Sequence, residues 1–283
     1  MTVAPRTQAD YRPREVEAAR RVLVDLGQVL GSWFADAIVV VGGWVPDLLM
    51  ADADEPHVGS IDVDLALDAP RLRAGRYAEI VEALLATKRY KKTREAFKLR
   101  TRVDLDDGEP AVVVDVDFMK APERRRKGRT PRLVPGFRPF DADGCAAAFV
   151  SPRRIPIAGR TIAGAENRVQ VKVASLESFL VMKAYALAGR DKPKDAYDLC
   201  YCLDNVPGGI DVLAGAWRAR REDPLFQVAL AHLKDKFATV TSYGPLQVAT
   251  FYDAPTREER EADARRAFEL VSRFIRLVER TAA

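Results

Sequence analysis

Apolar residues recur at spacings of three and four from Val16 to Phe34, through Ala19, Val22, Leu23, Leu26, Val29, Leu30 and Trp33. That period predicts an amphipathic helix over residues 15–35. The pattern then changes. Ala37 to Val41 is a short, unbroken apolar run closed by Gly42 and Gly43, which reads as a buried strand entering a tight turn. Trp44 to Met50 starts a helix with Pro46 in its first turn. Residues 51–59 are acidic and loop-like. From Ile61 to Leu67 apolar positions alternate with Asp62 and Asp64, the mark of a strand with one polar face. A helix over 74–88 precedes two strands, Ala96–Leu105 and Ala111–Met119, joined by a turn over residues 106–110. A basic loop follows. Short strands fill 147–173, with a hairpin turn expected at Ala158, Gly159 and Arg160.

The character changes near Ser175. From there the helical period dominates, with helices over 175–189, 193–204, 210–220, 223–237 and 255–280. The predicted fold class is therefore α/β (α+β): a mixed sheet with flanking helices over residues 1–174, followed by an all-helical C-terminal domain over 175–283. A length of 283 residues accommodates two modest domains. There is no internal repeat.

Composition adds exclusions. With 48% apolar and 30% charged residues the chain is neither mainly disordered nor fibrous. No run is long and apolar enough for a membrane span, so no membrane partner is expected. The first residues contain no apolar signal region. Three cysteines, Cys145, Cys200 and Cys202, form no disulfide framework, and a reducing, cytoplasmic location is the simplest expectation. His57 and His232 join no metal-binding cysteine pair. The net charge of +4 hides an uneven distribution, because residues 88–132 hold 15 basic and 8 acidic side chains. The basic positions cluster at Lys88–Arg102 and Arg124–Arg132, an arrangement suited to phosphates.

The candidate chemistry lies in two carboxylate pairs. Asp62 and Asp64 are two apart on one predicted strand, so both face one side; Asp115 and Asp117 repeat this on a later strand. Strands this apolar are normally buried, and uncompensated buried carboxylates cost on the order of several kcal/mol each. A divalent cation, Mg²⁺ or Mn²⁺, is an economical compensator, since Mg²⁺ binds one or two carboxylates together with phosphate oxygens. Gly42 and Gly43 let backbone N–H groups approach phosphates, the helix after them offers its N-terminus, and Ser60 can donate to a phosphate. Asp115 and Asp117 face the same way, so alternation does not choose between them.

In this order the residues resemble the nucleotidyltransferase superfamily of the DNA polymerase β type, whose signature is Gly-Gly, then Asp-x-Asp, then a third Asp on a neighbouring strand. The 18 residues between Gly43 and Asp62 imply an insertion at about 51–58. A second segment is similar to the AbiEii-type toxin nucleotidyltransferases. It runs from Lys183 through Arg190 to Lys194, Asp195 and Asp198, and the resemblance covers about residues 37–204. The resemblance implies transfer of a nucleoside monophosphate from an NTP, with metal on Asp62, Asp64 and Asp117 or Asp115. It implies the triphosphate on Gly42, Gly43, Ser60 and Lys183. Asp195 and Asp198 would be a base or would orient Lys183.

For Lys183 a plain reading also exists, a lysine snorkelling at a helix edge. His57, inside the insertion, is within possible reach of the site but is not counted in it. The acceptor remains open. The basic excess suits a tRNA 3′ end or another RNA; a protein or a small molecule such as an antibiotic is the alternative. A non-catalytic nucleotide or RNA binder is the rival of a different class. A toxin implies a cognate antitoxin as partner.

Overall fold

The computed structural model describes residues 5–72, 76–122 and 136–280. The second basic cluster, Arg124–Arg132, lies outside them. The chain divides into two compact units, Arg12–Val45 with Gly59–Ser175, and Met1–Tyr11 with Pro46–Val58 and Leu176–Ala283. The break at Ser175 coincides with the change of hydrophobic period. Segments 1–11 and 46–58, which the sequence pattern groups with the sheet, cluster instead with the helices.

The first unit is a mixed eight-stranded sheet with helices. Its strands are β1 (Ile38–Val41), β2 (Val63–Leu67), β3 (Lys91–Lys92), β4 (Lys98–Val103), β5 (Val112–Lys120), β6 (Phe140–Asp141), β7 (Arg153–Arg160) and β8 (Glu166–Val173). The spatial order is β3-β4-β5-β2-β1-β8-β7, with β6 also paired to β5. Pairs β2/β5, β1/β8 and β5/β6 are parallel, and the other pairs are antiparallel. All four residues of β1 are buried, as a continuous apolar run at the sheet centre requires.

The helices of this unit are α1 (Pro13–Val29), α2 (Gly31–Asp36) and α4 (Arg76–Ala86); α3 (Trp44–Leu49) follows the Gly-Gly turn and runs into the Pro46–Val58 segment. The single helix expected over 15–35 is two, because the chain leaves helical geometry at Leu30, ahead of Gly31, a poor helix former. Helix α1 lies against β7 and β8. A β-carbon on its Gly27 would stand 2.4 Å from Val169 Cγ2, so only glycine permits this approach of helix to sheet. The β7/β8 hairpin turns at 161–165, not at 158–160. Gly159 is inside β7 opposite Asn167, and Gly164, at φ +81°, supplies the turn conformation.

The second unit contains α5 (Leu176–Gly189), α6 (Pro193–Asn205), α7 (Ile210–Arg218), α8 (Pro224–Lys236), α9 (Tyr243–Tyr252) and α10 (Arg257–Glu279). Helix α5 is apolar around most of its circumference and packs against α6, α7 and α8, as expected of a helix buried on more than one side. Helix α9 has no counterpart among the expected helices, since Gly244 and Pro245 are weak helix formers. Pro245 stands in the first turn, where no intrahelical N–H bond is lost. Gly244 packs so tightly on Phe237 that a β-carbon would come within 2.4 Å of the ring.

Candidate active site

The carboxylates gather at one place in the sheet. In the parallel β2/β5 pair Asp64 is directly opposite Asp117, and on its other side Asp64 is opposite Val41, the residue before Gly42. Asp62 precedes β2, which begins at Val63 and not at Ile61. Two bonds hold that approach: Ser60 Oγ donates to Asp62 Oδ1 at 2.7 Å, and the buried Trp44 indole donates to the Asp62 carbonyl at 2.8 Å. Gly42 has φ +70°, and a β-carbon there would lie 2.0 Å from Asp64 Oδ2. The first glycine therefore gives the Asp64 carboxylate its room.

The two acids on β5 differ sharply. Asp115 is paired across β4 with Arg100, whose Nε and Nη2 donate at 2.7 and 3.0 Å, and with Lys98 Nζ at 3.1 Å. Burial opposes its ionisation, but these cations bring its pKa below the ordinary carboxylate value. Asp117 lies next to Asp64 instead. Its Oδ1 is buried and accepts no hydrogen bond among the described residues, with Lys98 Nζ at 3.5 Å. Burial, and then the Asp64 charge, push its pKa up to about 7. A buried carboxylate oxygen without a donor, beside two further carboxylates, is suited to a cation. Among the described residues no three His, Cys, Asp or Glu side chains form a preformed metal cluster. Mg²⁺ does not require one, since it completes its octahedron with water and phosphate oxygens. The donor set fits that hard ion.

Lys183, Asp195 and Asp198 belong to the helical unit, where they form a buried ionic network. Lys183 Nζ on α5 is 2.7 Å from Asp195 Oδ1 and 2.6 Å from Asp198 Oδ2, both on α6. Arg190 clamps Asp195 at 2.7 and 2.9 Å. Lys194 and His57 both reach Asp198 Oδ1, at 2.7 and 2.9 Å. Burial opposes the charge on Lys183, but the two carboxylates hold it above the ordinary lysine range. His57 is pushed down to about 4, by burial first and then by the Lys194 charge, so it is neutral and donates Nε2–H to Asp198. Its ring stacks on Tyr197 at 5.5 Å and meets Tyr201 edge-on at 4.9 Å.

The family profile described as "Nucleotidyl transferase AbiEii toxin, Type IV TA system" matches residues 35–280. The chain belongs to the AbiEii nucleotidyltransferase toxin family. AbiEii membership makes it a nucleotidyltransferase, and the match extends beyond residue 204, where the motif resemblance ended. Three solved structures are similar at low identity. The nucleotidyltransferase toxin MenT4 from Mycobacterium tuberculosis is 15% identical, with 96% of this chain and 94% of that one covered and a TM-score of 0.46. JHP933 from Helicobacter pylori is 13% identical over 95% and 94%, with a TM-score of 0.42. An antigenic nucleotidyltransferase-like protein from Paracoccidioides brasiliensis is 16% identical over 77% and 88%, with a TM-score of 0.41. No curated protein is detectably similar.

Within this AbiEii chain Gly42, Ser60, Asp62 and Asp64 assemble where β1 ends and β2 begins, with Asp117 beside Asp64 from within β5. Gly43 is buried in the turn that follows Gly42. Asp115 faces the same side but is spent on Arg100. The sequence reading gave no separate role to three residues that shape these clusters. Lys98 bridges Asp115 and Asp117, Trp44 fixes the Asp62 backbone, and His57 closes the helical network. Lys98 carried a weak signal, since it alternates with Arg100 and Arg102 on a strand. The other two carried none, because their partners are distant in sequence.

Proposed function

We propose that this AbiEii-family chain transfers a nucleoside monophosphate from an NTP to the 3′ end of a tRNA, releasing pyrophosphate. The observation that carries the reading is the register of Asp64 against Asp117, beside Gly42 and the Ser60-held Asp62. Mg²⁺ or Mn²⁺ would be held by Asp62, Asp64 and Asp117, and when bound would neutralise charge on the triphosphate and the reacting oxygens. The Gly42–Gly43 backbone would receive the triphosphate and Ser60 would position Asp62, while Asp195 and Asp198 hold Lys183 within the helical unit. Asp117 would complete the metal site and help activate the acceptor hydroxyl, whose proton would pass to solvent as its oxygen attacks the α-phosphorus. The bond from that phosphorus to the bridging oxygen breaks, and pyrophosphate leaves with the electron pair.

The acceptor is argued from charge. Lys98, Arg100 and Arg102 alternate along β4, and Lys91 on β3 is opposite Arg100. All four share the face that bears Asp115 and Asp117, because Lys98 is paired with Asp117 and Arg100 with Asp115. Lys98 and Arg100 are engaged by Asp115, but exposed Lys91 and Arg102 make no ion pair among the described residues and favour a polyanion over a cationic antibiotic. A cognate antitoxin completes the reading.

The test incubates the protein with each α-³²P-labelled NTP, total tRNA and Mg²⁺ or Mn²⁺, beside an Asp62→Asn/Asp64→Asn variant. Metal-dependent label on tRNA that the variant loses is expected. Label on protein alone, or none on any macromolecule, overturns the tRNA assignment.

A further inference from the structure

The helical unit carries a second chemically distinct feature, on α7, α8 and α10. Arg218, Arg221 and Arg280 rim a cavity of about 200 Å³ whose walls are Trp217, Phe226 and Leu230. An adjoining depression continues past Arg280 to Arg276 and Arg273. This groove thus has five arginines and no lysine in its lining, with two acids, Asp211 and Glu279. Both acids are already engaged, Asp211 by Arg273 at 3.5 Å and Glu279 by Lys234. Arg218 donates to the Leu277 carbonyl at 3.1 Å, which ties α7 to α10. Arg276 and Arg280 are exposed and make no ion pair among the described residues.

We propose that this groove docks an acidic segment of a partner protein that inserts one apolar side chain into the cavity between Trp217 and Leu230. Three features choose this occupant. The apolar-walled cavity of about 200 Å³ suits a single side chain, and it adjoins a depression of about 570 Å³ whose lining is charged except for Leu277, a surface for an acidic segment. Trp217 and Phe226 are 1% and 2% exposed, so neither ring offers a face on which a nucleic-acid base could stack. Guanidinium groups around an apolar centre match carboxylates in two-pronged geometry, and an apolar anchor ringed by arginines is the usual form of a protein-binding centre.

The test measures fluorescence anisotropy of the full chain with a labelled peptide in which one phenylalanine is flanked by glutamates. Comparison probes are the same peptide with serine for phenylalanine and a labelled oligouridylate. The phenylalanine peptide is expected to bind, with about tenfold loss or more for the serine peptide and for Arg276→Glu/Arg280→Glu. Leu230→Trp, which fills the cavity, is expected to weaken binding equally; thermal melting verifies that each variant is folded. The surface arginines keep the test decisive should Leu230→Trp unfold. No binding up to millimolar peptide overturns the proposal. So does equal binding of the phenylalanine and serine peptides, or binding of the oligouridylate alone through Arg276 and Arg280.

Discussion

Asp115 and Asp117 are two residues apart on one strand and face one side, yet their neighbours give them different chemistry. Asp115 has Arg100 and Lys98 as partners, and Asp117 has the Asp64 carboxylate beside it. Asp117→Asn is expected to lower label transfer by about 10²–10⁴-fold. Its melting temperature at pH 8 should be unchanged or higher, because the lost charge is one that the fold disfavours above about pH 7. Asp115→Asn removes a partly exposed ion pair and should cost less than about 1 kcal/mol and less than about tenfold in transfer. Equal losses in the two variants would refute the distinction. Gly42→Ala must adopt φ +70° and displace Asp64 Oδ2. About 1–2 kcal/mol of stability and on the order of 10²-fold in transfer should be lost, measured by denaturant melts and the same labelling assay.

At the scale of elements, α6 and the segment Pro46–Val58 are joined by contacts that have no sequence signature. His57 donates to Asp198, and the Tyr201 hydroxyl donates to the Glu55 carbonyl at 2.6 Å. His57 has a folded pKa of about 4 against an ordinary 6.5. The unfolded chain therefore binds the proton first, and the contribution of neutral His57 is complete above pH 6.5. It is lost as the pH falls from 6.5 through 4, by on the order of 3 kcal/mol, and changes no further below that. His57→Gln retains an N–H donor but does not titrate. Urea melts of both proteins across this range should show a steeper acid loss in the wild type, and parallel curves would contradict the assignment.

At the scale of the molecule, the sheet unit gathers acids on a sheet end that carries cations one strand away. On the proposed reading a bound divalent cation would relieve the repulsion of Asp64 and Asp117, so Mg²⁺ with a non-hydrolysable NTP analogue should raise the melting temperature by about 2 °C or more. The increment should vanish in Asp64→Asn/Asp117→Asn; an undiminished shift would place the ion elsewhere. No helix among the described residues is long and apolar enough to cross a membrane.

Local pattern alone determined much of this protein. The periods of 3.6 and 2 located most elements and the change at Ser175, and the Gly-Gly, Asp-x-Asp and Lys183 to Asp198 motifs pointed to the nucleotidyltransferase family. Those features are legible because they depend on neighbours in the chain. Short β3 and β6 are too brief to show a period, and α9 hides behind Gly244 and Pro245. Pairing is what the tertiary structure decided. Only the β2/β5 register makes Asp117 the neighbour of Asp64, only the β4/β5 register gives Asp115 to Arg100, and only folding brings His57 to Asp198 across 141 residues. The physical reason is that alternation fixes which side a strand residue faces, while strand order and register fix which charges stand beside it, and those charges set its chemistry.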